Sequence, residues 1–275
     1  MLLDNLKKVY LENKDKQPLL LRNTLKETIQ FYILDYIFNS TWGSRLIMKG
    51  GTCLRFCFGL PRLSEDLDFD IEGEENFDIN KFGEAVKNHF VKTLKFPKIG
   101  IKPANNQRTI YLKFPILQEL GYLIDKSETN LLHIRIDLAT APRMDYSAEI
   151  SVKNTADFSF LIRRYSLADL FAGKISAILT REAMEGKIMT ERFKGRDFYD
   201  LVWFLEKEAK PNWQMVRKIS GIDQKNAKQK LKEKIKKATP ELLKKDLLPF
   251  FANPDFVENF ANNFQKLTGG LLEKL

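Results

Sequence analysis

In this chain of 275 residues, the spacing of apolar residues changes near Ser166 from a period of two to a helical period. Before that point, residues 66–71 and 131–139 alternate between polar and apolar, which is typical of half-buried strands. After it, apolar residues recur every three or four positions between residues 167 and 179, as on a buried helix face, and Ser166 with Asp169 resembles a helix cap. The pattern predicts an α/β lobe over residues 1–160 and a helical lobe over residues 161–275.

Composition excludes several classes of site. The chain has two cysteines and two histidines, too few and too badly spaced for a zinc site or a disulfide framework. No run approaches the ~20 apolar residues of a membrane helix, and the first residues lack the basic start of a signal peptide. We therefore expect a cytoplasmic protein without membrane attachment, whose chemistry depends on acidic oxygen ligands.

The strongest local feature is a pair of glycines followed by an acidic strand. Gly50 and Gly51 follow a short predicted strand, and Thr52 can cap the helix that begins there. Glycines allow close backbone approach, and a helix N-terminus attracts phosphate. This turn is therefore a candidate phosphate site. The alternative interpretation is an ordinary turn.

The acidic strand supplies the candidate metal ligands. Asp66, Asp68 and Asp70 alternate with apolar residues, so their side chains share one face of the strand. Neighbouring carboxylates repel one another unless a cation lies between them, and hard oxygen ligands favour Mg²⁺ (or Mn²⁺). A merely polar strand face is the alternative.

A third carboxylate comes from the strand near residue 134. Asp137 shares a strand face with His133 and Arg135. If this strand pairs beside residues 66–70, Asp137 completes a three-carboxylate cluster for phosphoryl transfer. Otherwise it balances the charge of Arg135.

Three segments of the chain resemble one protein family. The resemblance covers roughly residues 18–205, and its motifs are KGGTCLR at 49–55, GLPRLSEDLDF at 59–69 and KGRDFYDL at 194–201. They are similar to the signature of the AbiEii/AbiGii-type abortive-infection toxins, the nucleotidyltransferase-like toxins of type IV toxin–antitoxin systems. The resemblance implies a mixed-sheet lobe like that of DNA polymerase beta, followed by a helical lobe that closes over the nucleotide.

The resemblance also implies roles in the first lobe. Asp66 and Asp68 would hold the metal that bridges a nucleoside triphosphate (NTP), and Gly50, Gly51 and Thr52 would cradle its phosphates. Ser64 aligns with a serine that some relatives carry phosphorylated, and we include it among the candidate nucleotide-binding residues.

Further roles fall on the second lobe. The resemblance implies that Lys174 meets a phosphate oxygen and that Asp197 is an essential acid. Arg181 lies seven residues after Lys174, so both would extend from one helix face and suit a triphosphate. Arg196 and Asp200, four apart, would form a surface ion pair. A solvated basic face is the alternative for Lys174 and Arg181.

The implied activity is Mg²⁺-dependent transfer of a nucleotide from an NTP to RNA, in particular to the 3′ end of tRNA. The implied biological role is growth arrest in phage defence, checked by a cognate antitoxin of the transcriptional-repressor type. The same acids could instead serve a kinase-like phosphotransferase or a nuclease, or the chain could bind nucleotide or RNA without catalysis.

The net charge of +9 is concentrated near the C-terminus. Residues 225–245 hold nine lysines and two glutamates, with an apolar residue at each helical turn. An RNA substrate makes this basic rod a candidate backbone-binding element through Lys228, Lys232 and Lys236. A solvated helix is the alternative.

Overall fold

The computed structural model describes residues 2–73, 77–106, 108–122, 129–185, 188–191 and 193–275. They form two compact units, the first comprising residues 1–143 and 148–164 and the second residues 144–147 and 165–275. In the described part of the chain, no helix combines the length and the apolar character needed to cross a membrane.

The first unit is a mixed sheet with helices packed against it. Its helices are α1 (Leu2–Asn13), α2 (Pro18–Phe38), α3 (Gly50–Phe58) and α4 (Ile79–Lys92), and its strands are β1 (Leu46–Lys49), β2 (Asp66–Ile71), β3 (Gly100–Ala104), β4 (Thr109–Pro115), β5 (Leu131–Thr140), β6 (Ala148–Asn154) and β7 (Ser159–Tyr165).

The seven described strands lie in the order β3-β4-β5-β2-β1-β7-β6. Strand β2 is central, antiparallel to β1 and parallel to β5. Its apolar residues Leu67, Phe69 and Ile71 are fully buried, as the alternation predicts. The acidic residues of β2 are thereby held between two neighbouring strands.

The second unit is mainly helical. It contains α5 (Leu167–Thr180), a hairpin of β8 (Glu182–Glu185) and β9 (Ile188–Glu191), and α6 (Gly195–Glu206), α7 (Trp213–Ser220), α8 (Gln224–Lys237), α9 (Pro240–Leu247) and α10 (Pro254–Leu271). The hairpin lies inside the segment that we predicted to be helical.

Two predictions for this unit have opposite outcomes. Ser166 caps α5 by accepting a hydrogen bond from the backbone N–H of Asp169 at 3.1 Å, which confirms the predicted cap. The basic segment is two helices rather than one rod, because α8 ends before Ala238 and a new helix is capped by Thr239 with Pro240 in its first turn. The apolar residues of α8, Ala227, Leu231 and Ile235, are buried.

Candidate active site

The turn between β1 and α3 brings the glycines and the acidic strand together. Helix α3 begins directly at Gly50, whose φ of +76° is readily adopted only by glycine, and Lys49 is the cap residue. Thr52 is not the cap, so that prediction was wrong. Its buried hydroxyl instead donates a hydrogen bond to the backbone carbonyl of Asp66, which ties α3 to β2.

The chain's own side chains fill the space beside both glycines. A Cβ on Gly50 would overlap the Asp68 carboxylate. A Cβ on Gly51 would lie 2.6 Å from Nη2 of Arg62 and 2.9 Å from Oγ of Ser64. Glycine is therefore required here for internal packing, a reason that sequence spacing did not suggest.

The three aspartates of β2 differ in their surroundings. Asp70 is buried and forms an ion pair with Lys49, so its carboxylate belongs to the packed sheet. Asp66 and Asp68 are half-buried. The predicted shared face therefore leaves these two carboxylates as the accessible acids of the strand.

The parallel pairing of β2 with β5 places Asp137 directly opposite Asp68. Asp137 accepts a hydrogen bond from Oγ1 of Thr109 at 2.7 Å and forms an ion pair with Arg135, whose Nη2 lies 2.7 Å from its Oδ2. Asp137 is thus adjacent to Asp68, as a third metal ligand would need to be. Its charge is also balanced by Arg135, as in the alternative interpretation.

The described residues test whether a divalent cation fits. They contain no group of three or more acids, histidines or cysteines arranged to hold a metal ion. Asp66 and Asp68 alone offer two half-buried carboxylates, a donor set compatible with Mg²⁺, which commonly takes few protein ligands and completes its shell with water and phosphate oxygens. Asp137 as a third ligand stays a prediction.

A second cluster of charges lies within the second unit. Nζ of Lys174 on α5 lies 2.9 Å from Oδ1 of Asp197 and 2.8 Å from Oδ2 of Asp200, both on α6. Nη2 of Arg181 lies 2.9 Å from Oδ2 of Asp197. The side chains of Asp197 and Asp200 are only 4% and 0% exposed, so this network is part of the packed interior.

Two sequence predictions about this cluster were wrong. Helix α5 ends at Thr180, so Arg181 is the extended cap residue rather than a member of the helix face. The side chain of Asp200 is 0% exposed and pairs with Lys174, so its charge does not lie on the surface as predicted. Nε of Arg196 lies 3.6 Å from Oδ2 of Asp246, and its guanidinium lies 4.2 Å from the ring centre of Phe250.

The electrostatics of the cluster favour a charged Asp197. Burial by itself raises the pKa of this carboxyl, but the charges of Lys174, Arg181 and Lys194 outweigh burial and hold the pKa well below its ordinary value. Sequence reasoning missed the roles of Asp200 and Lys194. Asp200 follows Asp197 by three residues on one helix, and that spacing could have indicated a shared face.

The predicted RNA-binding lysines of α8 have different environments. Nζ of Lys228 lies 5.7 Å from the ring centre of Trp213, in a cation–π contact within the unit. Lys232 and Lys236 are exposed. Their contact with RNA stays a prediction.

Comparison with solved structures finds other proteins that are similar to this chain in fold. The nucleotidyltransferase toxin MenT4 from Mycobacterium tuberculosis matches with a TM-score of 0.59 at 16% identity, over 99% of this chain and 90% of that one. JHP933 from Helicobacter pylori matches with a TM-score of 0.49 at 19% identity, over 92% and 93% of the two chains. No curated protein sequence matches this chain.

Comparison with protein families gives the assignment. The profile of the nucleotidyl transferase AbiEii toxins matches residues 32–275, which is most of the chain and includes both charged clusters. The match agrees with the motifs around Gly50, Asp66 and Asp197. This chain therefore belongs to the nucleotidyl transferase AbiEii toxin family of type IV toxin–antitoxin systems.

Proposed function

We propose that this chain transfers a nucleotide from an NTP to an RNA acceptor, the 3′ end of tRNA, and thereby arrests growth. Membership of a type IV toxin–antitoxin family implies an NTP substrate and an antitoxin partner. The observation that carries the proposal is the pair Asp66 and Asp68, half-buried on the central strand beside the first turn of α3. The tRNA acceptor, the phage-defence role and a cytoplasmic location are part of the proposal.

Asp66 and Asp68 are the residues that would hold Mg²⁺. When bound, the ion supplies positive charge at the NTP phosphates. The remaining tasks fall to the chain. Thr52 ties α3 to the backbone of Asp66, and the Asp68 carboxylate packs on Gly50. Both acids are thus fixed relative to the α3 N-terminus, and such preorganisation is what positions reactants for transfer.

The reaction itself is a displacement at the α-phosphorus. The acceptor hydroxyl oxygen forms a bond to phosphorus, the bond to the bridging oxygen breaks, and pyrophosphate leaves while the hydroxyl proton is released. The first N–H groups of an α-helix have no partner within that helix, so those of α3, at Gly50 and Gly51, suit a phosphate oxygen. Ser64 lies beside Gly51, within the same group of residues.

In the second unit, we propose that Lys174 and Arg181 contribute positive charge toward the nucleotide phosphates. Asp197 fixes the ends of both side chains, with contacts of 2.9 Å to each. We therefore assign Asp197 as a positioning residue for these two cations, rather than as a group that touches the reacting atoms. Its loss should change the nucleotide KM as well as the rate, because the cations lose their common anchor.

The test is a labelling assay with total tRNA, Mg²⁺ and each α-³²P-NTP in turn. Wild type is compared with Asp66→Asn/Asp68→Asn and with a matched control, Asp15→Asn/Asp157→Asn, which removes two exposed carboxylates from the same unit. We expect label in tRNA with wild type and control, none with the Asp66/Asp68 variant, and loss of label on metal chelation.

Three other results would overturn the proposal. Transfer of a γ-³²P label instead of the α label would identify a phosphotransferase. Shortened RNA without label would identify a nuclease. Unchanged RNA with every NTP, from folded protein that binds nucleotide, would identify a binding protein without catalysis.

A further inference from the structure

A small pocket in the second unit is lined by more positive than negative charge. It lies where the end of α5, the start of α6 and the end of α8 meet. Its charged lining consists of Arg181, Lys194, Lys234, Lys237 and one acid, Asp197. That acid also forms ion pairs with Lys174 and Arg181.

The rest of the lining is apolar. The rings of Phe193 and Phe198 stack with their centres 5.0 Å apart and an angle of 13° between their planes, and Ile178 lies beside them. Apolar walls reduce the screening of charges by water, so an anion in this pocket would feel the surrounding cations more strongly than at an open surface.

The pKa of Lys194 is perturbed by its surroundings. Burial, together with the nearby charges of Arg196, Lys174 and Arg181, lowers the pKa of its amine to about 8, against the opposing effect of Asp197. Lys234 and Lys237 reach the same pocket from α8. The lowered pKa means that holding Lys194 in its charged form costs free energy, and a bound anion would offset that cost.

We propose that this pocket binds a phosphate group through Lys194, Arg181, Lys234 and Lys237. Phosphate suits the lining because it offers several oxygens to lysines that approach from different elements, and its charge is one in an RNA backbone and up to two at the end of a triphosphate. The phosphate can come from the RNA backbone or from the NTP. That choice of sources rests on the function proposed above.

The experiment measures binding without turnover. Fluorescence anisotropy with 5′-labelled tRNA, in the absence of NTP, gives the Kd and its salt dependence for the full chain. Equilibrium dialysis with each ³²P-labelled NTP, in the absence of RNA, gives the Kd for the nucleotide. Wild type is compared with Lys194→Gln/Lys237→Gln and with Lys225→Gln/Lys266→Gln, which removes two exposed lysines outside the pocket from the same unit.

We expect the pocket variant to lose about tenfold or more in affinity for one ligand, and the control to lose clearly less. If that ligand is tRNA, the slope of log K against log salt should fall by about 1 for each phosphate that the variant no longer neutralises. Loss for tRNA assigns the pocket to a backbone phosphate, and loss for an NTP assigns it to the triphosphate. Equal losses in the two variants, or no loss for either ligand, would overturn the proposal.

Measuring the affinity over a pH series separates the effect of Lys194 from a general loss of positive charge. Lys194 is mostly charged below pH 8 and mostly neutral above it, so wild-type affinity should fall between pH 7 and 9. Lys194→Arg should retain its affinity at pH 9, because a guanidinium stays charged. Urea unfolding checks that each variant is folded. Since no transfer is measured, failure of the labelling assay would leave this result standing.

Discussion

Replacing Lys174 by methionine tests whether the charged cluster of the second unit is structural. Methionine keeps the length and apolar contacts of the side chain but removes the ammonium that lies 2.9 Å from Asp197 and 2.8 Å from Asp200. Asp197 keeps Arg181 as a partner. Asp200, whose side chain is 0% exposed, loses the positive charge beside its Oδ2.

The magnitude follows from that burial. Removing one partner of a buried ion pair costs about 3–5 kcal/mol, because the remaining charge loses its compensation in the interior. A typical domain is stable by only about 5–15 kcal/mol, so Lys174→Met should remove a large share of the stability of this unit. Adding Asp200→Asn removes that remaining charge. The double variant should therefore recover part of the loss, about 1–3 kcal/mol.

Urea unfolding followed by tryptophan fluorescence measures this effect. In a Trp42→Phe background, Trp203 and Trp213 are the remaining tryptophans, and both lie in the second unit. The signal then reports that unit alone. The expected order of unfolding free energy is wild type, then the double variant with Asp200→Asn, then Lys174→Met.

The pH dependence gives an independent check. In the folded protein the pKa of Asp197 lies below its unfolded value, so it contributes stability that is present above about pH 4 and is lost as the pH falls further. In Lys174→Met part of that contribution is already missing. The difference between the two proteins should therefore shrink on acidification. A Lys174→Met protein within about 0.5 kcal/mol of wild type at pH 7 would refute the structural role, since that difference is typical of surface substitutions.

Two further substitutions test the first unit. Gly50→Ala should abolish nucleotide transfer, because the new Cβ would displace the Asp68 carboxylate. Gly59→Ala is the control: Gly59 has a similar φ of +73° and nothing within 4 Å of an added Cβ, so this variant should retain transfer at some cost in stability. Equal activity of the two variants would contradict the packing argument. Thr52→Val should lower the free energy of unfolding by about 1 kcal/mol and reduce transfer, because the hydrogen bond to Asp66 is lost. Thr52→Ser keeps the hydroxyl and should therefore keep the stability and the transfer activity. Urea unfolding and α-³²P labelling compare the two variants.

Local patterns in the sequence determined much of this fold. Alternation identified β2 and most of β5, and helical spacing with a serine cap identified α5. The same alternation predicted that Asp66 and Asp68 share a face. These features were readable because a strand or helix period fixes the side on which each residue lies, whatever that element later contacts.

Only the tertiary structure decided which residues meet. The pairing of Gly50 with Asp68, the burial of Asp200 against Lys174, and the pocket around Lys194 join residues from different elements. Sequence spacing suggested a surface pair with Arg196 for Asp200, since it reports neighbours on one helix and not the packing between helices. The sequence alone thus determined several helices and strands, the side of each on which a residue lies, and the family motifs. The packing between elements decided which charges are buried and which glycines are required, because burial depends on contacts that chain separation does not encode.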